Sequence, residues 1–173
     1  MHRHNAAYDY AFLMGETMEI IKLTDKNNSI FEKVVEWNYN WWGAPNGKSE
    51  EEVRCILENS LCAERLPQTF VALEDGEPLG MYQLSMHDDL VSRPDIYPWL
   101  INVYVDETAR GRGVCAEMMK TVKENALSAS LPELYLYTKH VGLYEKYGWE
   151  FLEFVKTFDE ASPIERLYKL KYE

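Results

Sequence analysis

The run Val103-Tyr104-Val105-Asp106-Glu107-Thr108-Ala109-Arg110-Gly111-Arg112-Gly113-Val114-Cys115 decides the fold. Its apolar start reads as a buried strand, and the two glycines and two arginines read as a tight turn. The residues after the turn have helical spacing, with Val114, Met118, Met119, Val122 and Ala126 as the apolar stripe. The first turn of such a helix carries N–H groups without partners and the positive end of the dipole, which suits a phosphate. Glycines let the backbone approach that phosphate and turn its N–H groups toward it. The loop is not a Walker A sequence, because no Lys-Ser/Thr follows the last glycine, and it lacks the G-x-G-x-x-G spacing. A glycine-rich connection with exposed arginines is the plainer alternative.

Working outward, Glu19 to Leu23 is a strand, and Ile30, Phe31, Val34, Val35 and Asn38 trace a helix that Gly43 and Pro45 end. Ser49 with Glu52 is a capping box, opening a second helix with the stripe Val53, Ile56, Leu57 and Leu61. Thr69 to Leu73 and Pro78 to Ser85 pair through an Asp75-Gly76 turn, and Leu100 to Val105 is the strand leading into the loop. Beyond the long helix lie a strand at Leu134 to Thr138, a short helix at Val141 to Tyr147, and strands at Trp149 to Thr157 and Arg166 to Tyr172. The order β-α-α-β-β-β-α-β-α-β-β predicts a mixed α/β layer fold. Residues 19–173 are expected to form one domain after an N-terminal extension, 1–18, with a short helix over Ala6 to Met14 as one option. Met14 and Met18 are alternative starts.

Composition narrows the function. The 173 residues are 46% hydrophobic and 27% charged, enough for a core without disulfides. The net charge of −11 repels polyanions, so nucleic acid is an unexpected partner, whereas small cations are attracted. The same charge also serves solubility alone. Cys55, Cys62 and Cys115 suggest neither a disulfide framework nor a zinc site and are expected as buried, reduced side chains. His2, His4, His87 and His140 form no ligand set, so no metal is expected. No apolar run has transmembrane length and no signal peptide is evident, which points away from a membrane and to the cytoplasm.

Arg110-Gly111-Arg112-Gly113-Val114-Cys115 resembles the acetyl-CoA signature of GNAT acetyltransferases, R/Q-x-x-G-x-G/A, with Cys115 departing from its last position. A second segment, Leu143-Tyr144-Glu145-Lys146-Tyr147-Gly148-Trp149, is similar to that family's aromatic-Tyr-x-x-x-Gly-Phe/Trp run, and Pro98-Trp99-Leu100 is similar to a stretch in some members. The resemblance implies a splayed, mostly antiparallel sheet with acetyl-CoA as cosubstrate. It implies that Val103 and Val105 pair with the pantetheine amides, the Val103 N–H facing the thioester carbonyl, and that Arg110, Gly111, Arg112, Gly113, Val114 and Cys115 hold the pyrophosphate. It also implies direct attack by an amine in a ternary complex, with Tyr144 donating to the departing sulfur. Packing between helix and sheet is the ordinary alternative for Tyr144.

No carboxylate lies within Leu100 to Val105, so the general base is unassigned; by strand alternation Asn102 and Tyr104 share a face and either could order a water. Asp88, Asp89 and Asp95 are candidates for gripping a cationic acceptor, or a solvated acidic loop. Trp37, Trp41, Trp42 and Trp99 are candidates for an acceptor pocket, or core. The expected function is acetyl transfer to a primary amine of a small cationic acceptor. Acylation of protein N-termini or lysines, and a non-catalytic acyl-CoA sensor, stay as alternatives, and a homodimer is left open.

Overall fold

A computed structural model describes residues 18–90, 92–157 and 162–172. The extension before residue 18, with the option of a helix over Ala6 to Met14, lies outside the described residues. Seven strands form one sheet in the order β1-β2-β3-β4-β5-β7-β6: β1 Glu19–Lys22, β2 Gln68–Glu74, β3 Glu77–Ser85, β4 Trp99–Val105, β5 Glu133–Thr138, β6 Glu150–Lys156 and β7 Ile164–Lys171. All neighbours are antiparallel except β4 and β5. The helices are α1 Ser29–Asn38, α2 Glu50–Glu58 and α3 Val114–Ser128. The expected order of elements is therefore the observed one. The segment Val141 to Tyr147 shortens to a 3-10 turn, Tyr144–Tyr147, ended by Gly148 in a left-handed conformation.

Local chemistry sets the helix ends. The Asn28 side chain caps α1 by accepting from the Phe31 N–H at 2.8 Å. The capping box of α2 is complete: Ser49 N–H donates to Glu52 Oε2 at 2.7 Å and Glu52 N–H to Ser49 Oγ at 3.2 Å. After α1 the chain widens into a π-helical turn, Tyr39–Gly43. Buried Asn38 steadies it by accepting from the Trp42 indole at 2.8 Å and donating to the Val34 carbonyl at 2.7 Å. That turn brings Trp41 and Trp42 to the sheet's central strands.

The sheet has a core on each face. On one side α3 packs its predicted stripe, all five residues buried, against Phe70, Tyr82, Leu84, Leu100, Leu134 and Leu136. On the other, α1 and α2 cover Val71, Leu73 and Met81, while Leu90 and Ile96 from the β3–β4 connection cover Trp99 and Leu167. Ile56 departs from its predicted core role: it is 45% exposed, because the buried face of α2 narrows to Val53 and Leu57. The cysteines depart too. Cys55 is exposed on the outer face of α2, and Cys62 and Cys115 are half-buried; all three are free.

Strand β4 carries the main irregularity. Met81 pairs with Tyr104 but Gln83 pairs with Ile101, so two residues, Asn102 and Val103, oppose Tyr82 alone. This is a β-bulge, and Asn102 adopts a φ of 52°, a left-handed conformation that asparagine tolerates better than most side chains. The bulge resets the alternation. Leu100, Val103 and Val105 join the α3 core, while Ile101 and Tyr104 face the other way, and the Asn102 amide reaches Gln83, the residue paired with Ile101, on that second side.

Gly80 allows this arrangement to pack. A Cβ there would lie 2.7 Å from the Tyr104 carbonyl oxygen and 3.2 Å from Val114 Cγ1, pressing β3 into β4 and α3 together. Gly80→Ala should cost about 1–3 kcal/mol through overpacking, a fall in Tm of several degrees for a domain of this size. Calorimetry of the purified variant checks this, and an unchanged Tm would contradict the close approach.

Candidate functional site

Strands β4 and β5 pair at one place, Trp99 with Tyr135, where Tyr135 N–H also donates to the Pro98 carbonyl at 2.9 Å. Beyond it they diverge. The backbone of Ile101–Val105 on that side has no strand partner among the described residues, which leaves a wedge between two parallel strands. A cavity of about 730 Å³ occupies it, lined by Leu100–Val103 from β4 and Leu136–Thr138 from β5.

The far end of the wedge is the start of α3. Gly113 caps the helix at φ 85° and Gly111 precedes it at φ 79°, both in conformations that favour glycine. The first helical hydrogen bond is Glu117 N–H to the Gly113 carbonyl at 3.1 Å, so the preceding N–H groups, through Ala116, have no acceptor within the helix. No side-chain cap takes them. Arg110 and Arg112 flank this end, each on a carboxylate: Arg110 on Glu107 at 3.3 Å and Arg112 on Glu74. Both guanidiniums are substantially exposed; the Arg110–Glu107 pair is exposed on both sides and can exchange partners at little cost, whereas Glu74 is only 17% exposed. Arg110 Nε also donates to the Val105 carbonyl at 3.2 Å, which ties up that acceptor of the strand end. The cradle therefore fits a pyrophosphate: free donors, left-handed glycines and two exposed cations.

Cys115 meets the loop through its backbone. Its side chain turns inward against the α3 core, where burial pushes the thiol up and the Tyr147 hydroxyl bonds to it. The departure from a Gly/Ala position is thus absorbed on the core side, away from the loop.

Tyr144 is 6% exposed, edge-on to Trp149, and lines the wedge opposite β4. Burial, helped by the nearby Cys115 and Tyr147, pushes its hydroxyl well above the usual phenol range. It therefore stays protonated and can act as a hydrogen-bond donor, while the surrounding core gives the ring a packing role as well.

Asn102 enters the cavity from the bulge at the end of a buried polar chain. Its amide donates to Gln83 Oε1 at 2.6 Å, and the Gln83 amide donates to Thr69 Oγ1 at 2.8 Å. The Thr69 and Ser60 hydroxyls lie 2.6 Å apart, and Ser60 donates to the Leu57 carbonyl at 2.6 Å. Four elements thus fix the angle of one side chain, and such chains rigidify when fully satisfied.

The tryptophans separate. Trp41 and Trp42 line the wedge with Ile56 from α2. Trp37 is buried, donates to Asp106 Oδ2 at 2.9 Å, and lines a second cavity of about 550 Å³ with Tyr104 and Arg110. Trp99 is core, packed on Tyr135 and Tyr137. The aspartates separate likewise. Asp88 and Asp89 line the wedge, whereas Asp95 is bound to Arg93 in the exposed connection. Glu165 of β7, Tyr137, Lys139, His87, His140 and Lys48 complete the polar wall.

Sequence reasoning missed Glu165 and Tyr137, which reach the wall only by strand pairing. It also missed the bulge at Asn102, whose one signal is an asparagine inside an apolar strand. Among the described residues no three His, Cys, Asp or Glu side chains come together as metal ligands.

The model of the acetyltransferase (GNAT) family matches residues 31–149. No curated protein matches the chain as a sequence relative. Among solved structures, an aminoglycoside 6'-N-acetyltransferase complexed with coenzyme A superposes with TM-score 0.68 at 12% identity, covering 88% of this chain and 96% of that one. A GNAT acetyltransferase from Elizabethkingia anophelis with acetyl-CoA bound gives 0.61 at 17% identity, over 90% and 98%. A Salmonella typhimurium acetyltransferase that modifies the N-terminal serine of ribosomal protein L7/L12 gives 0.66 at 11%, over 91% and 96%. These likenesses share the fold, and the family match spans both the glycine loop and the Tyr144 segment; the chain belongs to the GNAT family of acetyltransferases, enzymes of the acyltransferase class.

Proposed function

We propose that the chain moves the acetyl group of acetyl-CoA onto a primary amine of a small cationic acceptor, by direct attack in a ternary complex. One observation carries this: a single cavity joins the unpaired edge of β4 and Tyr144 to an acceptor end walled by Trp41, Trp42, Asp88, Asp89 and Glu165. Carboxylates and indole faces both favour an ammonium group. The two neighbours named for their acceptors act on an aminoglycoside and on a protein N-terminus, so the fold serves small and protein acceptors alike.

In this reading Arg110–Cys115 hold the pyrophosphate and Val103 pairs with the pantetheine arm. Acetyl-CoA supplies an activated thioester. The Val103 N–H meets the carbonyl oxygen, where negative charge develops during attack. Tyr144 lies beside the departing sulfur. A phenol raised by burial is too weak an acid to give up its proton first, so it stabilises developing thiolate charge by a hydrogen bond and completes transfer as the thiol leaves.

Three outcomes test the assignment. Gly113→Val forces a branched side chain into a left-handed cap and should weaken acetyl-CoA binding at least tenfold, about 1.4 kcal/mol, by calorimetry; undiminished affinity in a folded variant contradicts the cradle. Tyr144→Phe should lower kcat by about 10²-fold with acetyl-CoA affinity nearly unchanged, and an unaltered kcat in a chemistry-limited assay returns Tyr144 to packing alone. Thiol release from acetyl-CoA should be seen across a panel of diamines, polyamines, aminoglycosides and peptides, with KM for the true acceptor rising with salt as steering is screened. Flat salt dependence, or preference for neutral arylamines, argues against a cationic acceptor.

A further inference from the structure

An amine acceptor is mostly protonated at neutral pH and cannot attack until a proton leaves. The strand beside the thioester carries no carboxylate to take it. Asp88 lies before β4 in the chain yet lines the wedge, because the connection after β3 packs Leu90 and Ile96 over Trp99 and carries it to the cavity wall. Two donors hold it there: the Asp89 N–H at 2.7 Å and the Tyr137 hydroxyl at 3.2 Å. Both fall on Oδ1. Among the described residues no donor takes Oδ2.

The position suits attack. In the parallel pairing Trp99 meets Tyr135, which puts Tyr137 level with Ile101, and Val103 about 7 Å further along the strand. Tyr137 and Ile101 pack on the face covered by Leu90 and Ile96, while Tyr144 packs on the α3 face. An acceptor entering past Trp41 and Trp42 would meet Asp88 on one side of the wedge and Tyr144 on the other. The nucleophile needs a proton acceptor and the leaving group a donor, and the two sides offer one of each.

We propose that Asp88 is the general base of the transfer, its free Oδ2 taking a proton from the acceptor ammonium, directly or through one water, on the face opposite Tyr144. This rests on the acetyl-transfer reading above. The step balances: the ammonium gives one proton to Asp88, the nitrogen lone pair forms the C–N bond, and the C–S bond breaks with its electron pair going to sulfur. Sulfur gains a proton from Tyr144, the nitrogen's second proton leaves to solvent, from which the phenol is restored, and Asp88 releases its proton to solvent. Tyr137 is a positioning residue that presents the carboxylate.

Burial raises Asp88 to about 6, with Asp89 and Glu165 adding repulsion and the bonds from Asp89 N–H and Tyr137 opposing. The charged and titratable groups facing it are His87 and Asp89 on its own connection, Tyr137, Lys139 and His140 on β5 and the residues after it, Glu165 on β7, and Lys48 ahead of α2. A base must be ionised to act, so activity should rise with pH through that value and level off above it.

The test is kcat/KM between pH 5 and 9 for thiol release with the best acceptor of the amine panel, beside acetyl-CoA affinity by calorimetry and a 13C carboxyl titration of Asp88. The parent should break near pH 6. Asp88→Asn should lose that break and about 10²-fold in kcat while binding acetyl-CoA within twofold, and should recover part of the rate at high pH, where free amine is abundant. Tyr137→Phe removes a bond that favours the carboxylate, so its break should move upward. His87→Gln and His140→Gln should keep the break whatever they do to the rate. Full activity in Asp88→Asn, a break lost with either histidine instead, or a carboxyl titrating in the ordinary aspartate range overturns the proposal while leaving acetyl transfer intact. A parent that releases no thiol with any amine overturns both.

Discussion

The divergence of β4 from β5 is the constraint on which the remaining structure depends. Two parallel strands that pair only at Trp99 and Tyr135 leave backbone donors and acceptors exposed within the sheet. Such groups are costly to bury without partners, so the wedge must admit water or an extended ligand that bonds as a strand would. Everything nearby serves to keep it open. Trp99, wedged against Tyr135 and Tyr137, props the apex, and α3 and the 3-10 turn with Tyr144 wall one side. The bulge at Asn102 turns β4 so that Val103 and Val105 pack toward α3 while Tyr104 packs under Trp37 and Trp41.

Electrostatics divides the same wedge. The chain is acidic overall, yet its glycine loop carries Arg110 and Arg112 at a helix N-terminus, a local site for negative charge. At the other end, Asp88 and Glu165 are partly buried carboxylates that burial pushes up. Burial makes ionising them costlier than in water, and a cation in the cavity would offset that cost. The polar chain from Ser60 through Thr69 and Gln83 to Asn102 adds rigidity between these two ends without adding charge.

Much of this was legible in the sequence because it is local. The capping box at Ser49 and Glu52, the Asp75-Gly76 turn, the α3 stripe and the glycine loop each arise from spacing over a few residues, and each is present as expected. The order of elements came with them, and with two motifs in series so did the family. Cys55 and Ile56 did not, because which side of α2 is buried depends on how α1 crosses it.

What only the tertiary structure decided are relations between distant segments. A bulge breaks strand alternation at Asn102, and no period-2 rule reports that; the partner strand, one residue short there, imposes it. Asp88, Tyr137 and Glu165 come from a connection and two strands far apart in the chain, and they meet because β5 and β7 pair antiparallel beside the fold-back of the β3–β4 connection. Their chemistry arises from burial and proximity, which sequence spacing does not encode. Hence the sequence by itself determined the glycine loop and the layered fold, through local hydrogen bonding and periodicity. The packing of the sheet decided which carboxylates face the wedge and how strongly water is kept from them.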